Sequence, residues 1–378
     1  MRVVPRIDRG LTRRIVLAAV VSLAAWASLA WLSPLPTVTW TAEMYEASGR
    51  MRTAIDVIAG YHETAGIEID EAIDPNRTGL IGPEYTDLFT SLGQVEAKRT
   101  TTNPDLAALM VHLLRRAGVA RGDTIGVGAS ASFPALMIAT LVASEAIGAH
   151  PVAIVSLGAS SYGATRPDLD LLHIYQLLLA ANVIATPPAA ISLGGEGDVG
   201  TGFEPAFREG LLERVRTSGV PLVNEPAFRE NVARRLAIYL GAGEADAAGA
   251  AAAAGEQAGV GRMAAFVNIG GNDANLGRSP LILGVAPGLH ESLPLPGDAE
   301  RGVLYEMSAR GVPVIHLLHV RGLARSHGLP WDPVPLPEPG TTTLTRGDEE
   351  RGSPFWLVIG GYFAALLLIV AAGRSVRW

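Results

Sequence analysis

Two uncharged apolar runs, residues 15–32 and 355–372, frame this chain. Each is long enough to cross the hydrocarbon core of a bilayer as a helix. A helix satisfies its own backbone polar groups there, and an open strand does not. Arg2, Arg6, Arg9, Arg13 and Arg14 precede the first run, and Arg374 and Arg377 follow the second. The positive-inside bias then predicts two cytoplasmic ends and an outward-facing centre. Trp31, Pro34 and Pro36 mark the exit of the first span, and Ser353-Pro354 reads as the cap and first turn of the second. Thr12-Arg13-Arg14 has a twin-arginine look, but no small-residue cleavage site follows the first run, so a retained anchor is expected rather than a cleaved signal peptide. The expected layout is a cytoplasmic terminus over 1–14, spans over 15–32 and 353–373, an extracytoplasmic domain over 33–340, a tether over 341–352 and a cytoplasmic tail over 374–378.

The central segment of about 320 residues can bury a substantial core. It has no cysteine, which excludes disulfides and thiolate metal sites. Setting aside the seven flanking arginines and Asp8 leaves 23 basic against 36 acidic residues, a net charge of −13. Such a field disfavours nucleic acid and repels any polyanion away from a local basic patch.

Short apolar runs alternate with helical patterns, predicting an α/β fold: a mostly parallel sheet with crossover helices. Strands are expected at 124–129, 151–157, 189–193, 263–269 and 312–318, with helices at 106–117, 134–147, 205–217, 226–239 and 299–310. Strand order is not legible. The Ala/Gly-rich stretch 241–261 reads as a flexible insertion, and the Pro-rich stretch 330–352 as an extended tether.

Ligands of open α/β sheets bind beyond the carboxyl ends of the strands. Here those ends run into Gly128-Ala129-Ser130-Ala131-Ser132, Gly158-Ala159-Ser160-Ser161-Tyr162-Gly163, the glycine loop holding Glu196 and Asp198, and Gly270-Gly271-Asn272-Asp273 after Asn268. All are small and polar, and four such turns are expected to converge on one crevice. For the first, three readings stay open. Ser130 sits where a nucleophile elbow places its serine, although Ser132 replaces the second glycine. The amides and hydroxyls also suit a phosphate or carboxylate, and either serine is a suitable N-cap. Glu196 and Asp198 have the chemistry of acid/base groups or cation ligands, and Asn268, Asn272 and Asp273 form a similar polar rim; turn formation is the alternative for both sets. No metal is assigned, since no helical His pair accompanies them, and the residues leave any cofactor unknown.

His319, near the carboxyl end of the last predicted strand, is the candidate base for Ser130; three residues away, His316 faces the other side if the strand continues. Lys98 is the chain's only lysine among 30 basic residues. A compact ammonium has uses that a planar guanidinium does not, so Lys98 and Arg99 are candidates to bind carboxylates, a solvated pair ahead of a helix being the alternative.

Several segments in order resemble the bacterial poly-gamma-glutamate system protein family: Glu96-Ala97-Lys98-Arg99-Thr100-Thr101-Thr102-Asn103-Pro104, Ser130-Ala131-Ser132-Phe133-Pro134-Ala135, Leu157-Gly158-Ala159-Ser160-Ser161-Tyr162-Gly163-Ala164, the loop 194–202, Phe266-Val267-Asn268-Ile269-Gly270-Gly271 and Val312-Pro313-Val314-Ile315-His316-Leu317-Leu318. The resemblance spans about residues 80–340 and includes the membrane-anchored layout. It departs at 241–261, an apparent insertion, and at Asn272-Asp273, where the pattern leads one to expect further small residues. It implies a bacterial plasma-membrane protein that works with other poly-gamma-glutamate synthesis or export proteins, and with the polymer itself. It carries over no catalytic residue.

Two functions follow. One is a membrane-anchored accessory component of that system; the other is an extracellular serine-type hydrolase or transferase acting on gamma-glutamyl amide bonds, with Ser130 or Ser132 as nucleophile. The topology is testable directly. Protease added to intact spheroplasts is expected to digest the centre while tags at both termini survive, and cleavage of the tags with the centre protected would refute the layout.

Overall fold

The computed structural model describes residues 9–32, 36–241, 263–347 and 353–372. The chain divides into a unit made by its two ends, up to Val38 and from Leu344, and an α/β unit over Thr39–Thr343. The first helix of the end unit is α1 (Arg9–Leu32).

The α/β unit begins with α2 (Ala42–Ala65), which the hydrophobic pattern alone did not reveal. Thr41 caps it by accepting from the Met44 N–H, and Gly66 closes it in the left-handed conformation. A short β1 (Phe89–Ser91) and α3 (Val95–Thr101) lead to α4 (Asp105–Arg116), before which Asn103 Oδ1 accepts from the Asp105 amide. Next come β2 (Thr124–Ser130), α5 (Pro134–Ile147), β3 (His150–Ser156), β4 (Ala159–Ser160), α6 (Leu171–Ala180) and β5 (Ala190–Ser192). After α7 (Pro205–Ser218) and α8 (Phe228–Tyr239) the chain returns to the sheet as β6 (Met263–Ile269), then α9 (Asp273–Leu276) and β7 (Gly288–His290). It ends with α10 (Val303–Ala309), β8 (Val314–Leu317) and α11 (Val320–His327).

The main sheet has the order β5-β3-β2-β6-β8-β7, parallel except for β7. This is the parallel-dominated α/β architecture that the alternating pattern predicts. The antiparallel edge was not foreseen, because β7 is three residues long and carries no period. Every residue of β2 is buried, as a central strand covered on both faces must be. Helices α2, α4 and α5 cover one face and α8 and α10 the other, where Tyr239 meets Phe266 edge to face at 5.4 Å. Burying each such side chain contributes about 1.5–3 kcal/mol. Helix α10 starts later than expected, because Asp298–Glu300 forms a separate 3-10 turn and Arg301 is extended.

The chain builds out from β2 through β3 to β5, then crosses back to place β6 on the other side of β2. The strand order reverses between β2 and β6. There the following helices leave for opposite faces, and a crevice opens at the carboxyl ends.

The Pro-rich stretch after residue 330 is irregular, with bends and a turn, and is held down as far as Thr342. Arg99 grips Asp332 with two bonds, at 2.6 and 2.7 Å, and Asn76 donates to the Pro333 carbonyl at 2.9 Å. The buried Asp105 carboxylate accepts from the Gly340 and Thr342 amides, at 2.7 and 2.8 Å, and from Ser48 Oγ.

The end unit closes with α12 (Ser353–Ala371), which packs on α1. Ser22 and Tyr362 share a hydrogen bond at 3.3 Å, and Thr37 bridges Thr345 in antiparallel fashion. Gly10–Trp31 is long and apolar enough to cross a membrane, a property that an anchor shares with a signal sequence; the apolar stretch Phe355–Ala371 is shorter. Trp26, Trp31, Trp356 and Leu367 are exposed. Of the sequence expectations, the 241–261 insertion beyond Gly241, the residues before Arg9 and the 374–378 tail lie outside the described residues.

Replacing Asp105 with Ala strands two backbone donors. We expect a loss of about 3 kcal/mol in stability and new proteolytic cleavage within residues 330–343, read by thermal unfolding in detergent and limited proteolysis. Unchanged cleavage would show that this carboxylate does not hold the segment.

Candidate active site

At the crevice lies a cavity of about 460 Å³. The turns after β2, β3, β5 and β6 all reach it, supplying Ser130, Ser132, Ser160, Glu196, Asn272 and Asp273, and Lys98 enters from α3.

The local chemistry of the first turn differs from all the capping expectations. Neither Ser130 nor Ser132 caps α5: the cap position is Phe133, whose side chain makes no capping bond, and Pro134 fills the first helical position where no amide is needed. Ser132 Oγ instead accepts from the Ser160 amide at 2.9 Å. The two turns come this close because Gly163 lies against the first one; a Cβ there would stand 2.5 Å from the Ala131 carbonyl oxygen. Ser160 itself is held in register by β1, opposite Ser91.

Lys98 is 2 % exposed. Its Nζ donates to Ser160 Oγ at 2.7 Å and to the Ser132 carbonyl at 2.5 Å, and stands 3.7 Å from the centre of the Phe133 ring. No carboxylate pairs with it among the described residues. Burial without an anion disfavours the ammonium and pushes Lys98 down from the usual 10.5 to about 7. A lysine poised between its two protonation states therefore touches a serine hydroxyl in a cavity. A neutral amine in that position is able to accept the proton of the hydroxyl it touches.

The other expected site residues divide sharply. Ser130 lines the cavity, but its buried Oγ has no hydrogen-bond partner among the described residues. Its expected base, His319, is exposed in an adjoining cleft just beyond β8, and the serine in contact with a basic side chain is Ser160, with Lys98. Ser161 is buried with its Oγ unpartnered and its amide bonded to the Ser91 carbonyl. Arg99, expected to bind ligand beside Lys98, points elsewhere and is engaged by Asp332. One residue along a helix turns the side chain by about 100°, which separates these two neighbours.

Asp198 is fully buried under the floor. It accepts from Ser156 Oγ at 2.9 Å and from Asn272, and it pairs with Arg235, which is also fully buried. Arg235 further donates to Ser192 Oγ at 2.8 Å and to Asn231 Oδ1 at 2.9 Å. This carboxylate is neutralised inside the protein and orients Asn272 and Ser156, whose polar atoms reach the cavity. Removing either charge would leave the other buried, at a cost of about 3–5 kcal/mol. Asn268 likewise positions rather than lines: its amide donates to the Gly270 carbonyl and to His316 Nδ1, both at 3.1 Å, shaping the turn that carries Asn272. Burial holds His316 down at about 4, so it is neutral at pH 7. Gly128 lies within β2, packed against Asn275 where a Cβ would collide. Glu196 is an exposed rim residue, and Asp273 Oδ2 accepts from the Gly197 amide at 3.1 Å. Among the described residues no cluster of His, Asp and Glu suits a metal ion.

Sequence reasoning isolated Lys98 but did not pair it with Ser160, and it missed Arg235 and Phe133. The lone lysine was the available signal. Its partner lies 62 residues away, across a contact that only the β1-β4 pairing creates.

Comparison with protein-family models, curated proteins and solved structures returned no match to this chain.

The lowered Lys98 value has a stability consequence with a definite sign. Between about pH 7 and 10.5 the unfolded chain holds a proton on Lys98 that the folded chain lacks, so stability from this group rises with pH, by at most about 1.4 kcal/mol per unit. Below pH 7 its full penalty is present. Lys98→Met is therefore expected to raise the melting temperature most at pH 6, and to lose more than half of that advantage by pH 9 and the rest by about pH 10.5. A difference independent of pH would contradict the assignment.

Proposed function

We propose that this protein is a membrane-anchored component of a poly-gamma-glutamate system whose α/β unit performs acyl transfer on gamma-glutamyl amide bonds. Ser160 is the nucleophile and Lys98 its base. One observation carries the reading: the only lysine of the chain is buried without an anion, 2.7 Å from a serine hydroxyl, in the cavity at the strand-order reversal.

As Ser160 Oγ bonds to the carbonyl carbon of the amide, neutral Lys98 Nζ takes its proton and the carbonyl π electrons move to oxygen. Ser132 uses a lone pair on the Ser160 amide and keeps its own hydroxyl proton free to meet that oxygen. Collapse breaks the C–N bond, and the leaving nitrogen takes the proton from the Lys98 ammonium. Water or an incoming amine then attacks the acyl ester, Lys98 accepts its proton, and Ser160 recovers a hydrogen as the C–O bond breaks. Phe133 against Nζ keeps bulk water from the base.

The membrane layout belongs to the same proposal. The flanking arginines, the two uncharged apolar runs and the packing of α1 on α12 support a two-pass anchor with both ends cytoplasmic. The ordered motifs around Lys98, Ser132 and Ser160 support the link to poly-gamma-glutamate machinery.

The purified full chain is to be incubated with poly-gamma-glutamate, and cleavage or transfer read by mass spectrometry. Ser160→Ala is expected to lower turnover by about 10³-fold or more without loss of fold. Lys98→Arg, locked in the charged state, is expected to be similarly inactive, while the native enzyme gains activity as pH rises through about 7. Full activity in a folded Ser160→Ala variant would overturn the catalytic assignment. A folded native chain that cleaves nothing yet copurifies with synthesis proteins would favour the accessory role.

A further inference from the structure

Next to the serine cavity lies a second concavity of about 460 Å³, and the two share Gln94, Phe133 and Leu318 in their walls. This cleft differs from its neighbour in sign. Arg321, Arg325 and His319 line it, all exposed, and the Arg321 guanidinium stands over Trp331, 4.8 Å from the ring centre. The unit as a whole is strongly acidic, and its arginines are typically consumed by its own carboxylates: Arg99 by Asp332, Arg214 by Asp170, Arg235 by Asp198 and Arg310 by Glu306. Among the described residues no carboxylate pairs with Arg321 or Arg325. Two guanidinium groups four residues apart on α11 lie on one face of the helix, where their mutual repulsion is relieved by a shared anion. The wall of the serine cavity carries Glu196 and Asp273 instead. The adjoining cavities thus differ in charge, the cleft lined by arginines and the cavity that holds the Ser160 hydroxyl bearing carboxylates.

We infer that the cleft is an anion subsite that holds a carboxylate on the acyl side of the substrate, on Arg321 and Arg325 over Trp331, while the departing amine leaves past Glu196 and Asp273. The inference rests on the acyl-transfer reading, and it makes the substrate class an acyl chain with a free carboxylate near the reacting carbonyl. Trp331 fixes the plane of Arg321 by stacking, so that its remaining N–H groups fan outward as a fork. The local patch also reconciles an acidic unit with an anionic ligand. Attraction is confined within about a Debye length, roughly 8–10 Å, of the two arginines, and the rest of the surface repels.

The test uses the full chain in detergent with two activated esters, neutral p-nitrophenyl acetate and the anionic mono-p-nitrophenyl glutarate. The ratio of kcat/KM for the glutarate over the acetate ester is expected to exceed unity, and to fall roughly 10- to 100-fold in the Arg321→Gln/Arg325→Gln double variant, mainly through KM, as the loss of charge-assisted hydrogen bonds dictates. The ratio is also expected to fall with added salt. An unchanged ratio in the double variant would overturn the subsite. Should Ser160→Ala leave the turnover of both esters untouched, the acyl-transfer reading fails, and the subsite is then judged by binding. Trp331 fluorescence is titrated with glutarate, with the uncharged glutaramide as control and Trp331→Phe to identify the signal. Saturable quenching by glutarate alone, abolished in the double variant, is expected; no saturable change would overturn the subsite on its own.

Discussion

The reversal of strand order between β2 and β6 is the constraint on which the rest of the site depends. Parallel strands need crossover helices, and where consecutive crossovers leave for opposite faces no helix closes the space above the strand ends. Ser130, Ser132, Asn272 and Asp273 come from the two strands that flank this gap, and Ser160 and Glu196 from the next two turns on one side. Polar groups collected in this way require partners. The Asp198–Arg235 pair provides them from below, bonded through Ser156, Ser192, Asn231 and Asn272, so that the floor is a rigid hydrogen-bonded layer with no net charge.

Against that neutral floor one basic group stands out. Lys98 is buried against a carbonyl, a hydroxyl and an aromatic face, none of which carries a full negative charge. Its cost to stability and its fitness as a base have one origin, the desolvation of the ammonium. A carboxylate within reach would remove both. The nearest candidates by sequence, Glu96 and Asp105, form no ion pair with it, the latter being committed to Ser48, Gly340 and Thr342. The Arg99–Asp332 pair similarly keeps Asp332 occupied, while Trp331 beside it faces the anion cleft. The Pro-rich segment therefore completes the walls of the site as well as leading toward the end unit.

Strands β2 and β6 and helix α5 were legible because an apolar run bounded by glycine, or by proline and glycine, has few alternatives as a buried element, and their ends match the structure within a residue. The convergence of the turns also followed from the α/β alternation. Helix α2 was missed because its apolar stripe is diluted by Glu, Asp and Thr on the outer face, and β1, β4 and β7 because two or three residues carry no period. Ser130 and His319 line different cavities and share no hydrogen bond. Both stand at strand ends, but β8 terminates at Leu317, and His319 begins α11 in the adjoining cleft.

The sequence by itself determined the α/β class, the position of the main crossover elements, the uncharged runs at the two ends, the acidic balance of the centre and the singularity of Lys98. These depend on the identity of neighbouring residues and on hydrophobic period, which are local. Tertiary structure alone decided that Lys98 meets Ser160, that Asp198 is neutralised by Arg235, that Arg99 leaves the site, and that Arg321 and Arg325 meet no carboxylate among the described residues beside the cavity. Each of these is a contact or an absence of contact between segments dozens to hundreds of residues apart. Such pairings are set by strand order and register, to which hydrophobic period is blind.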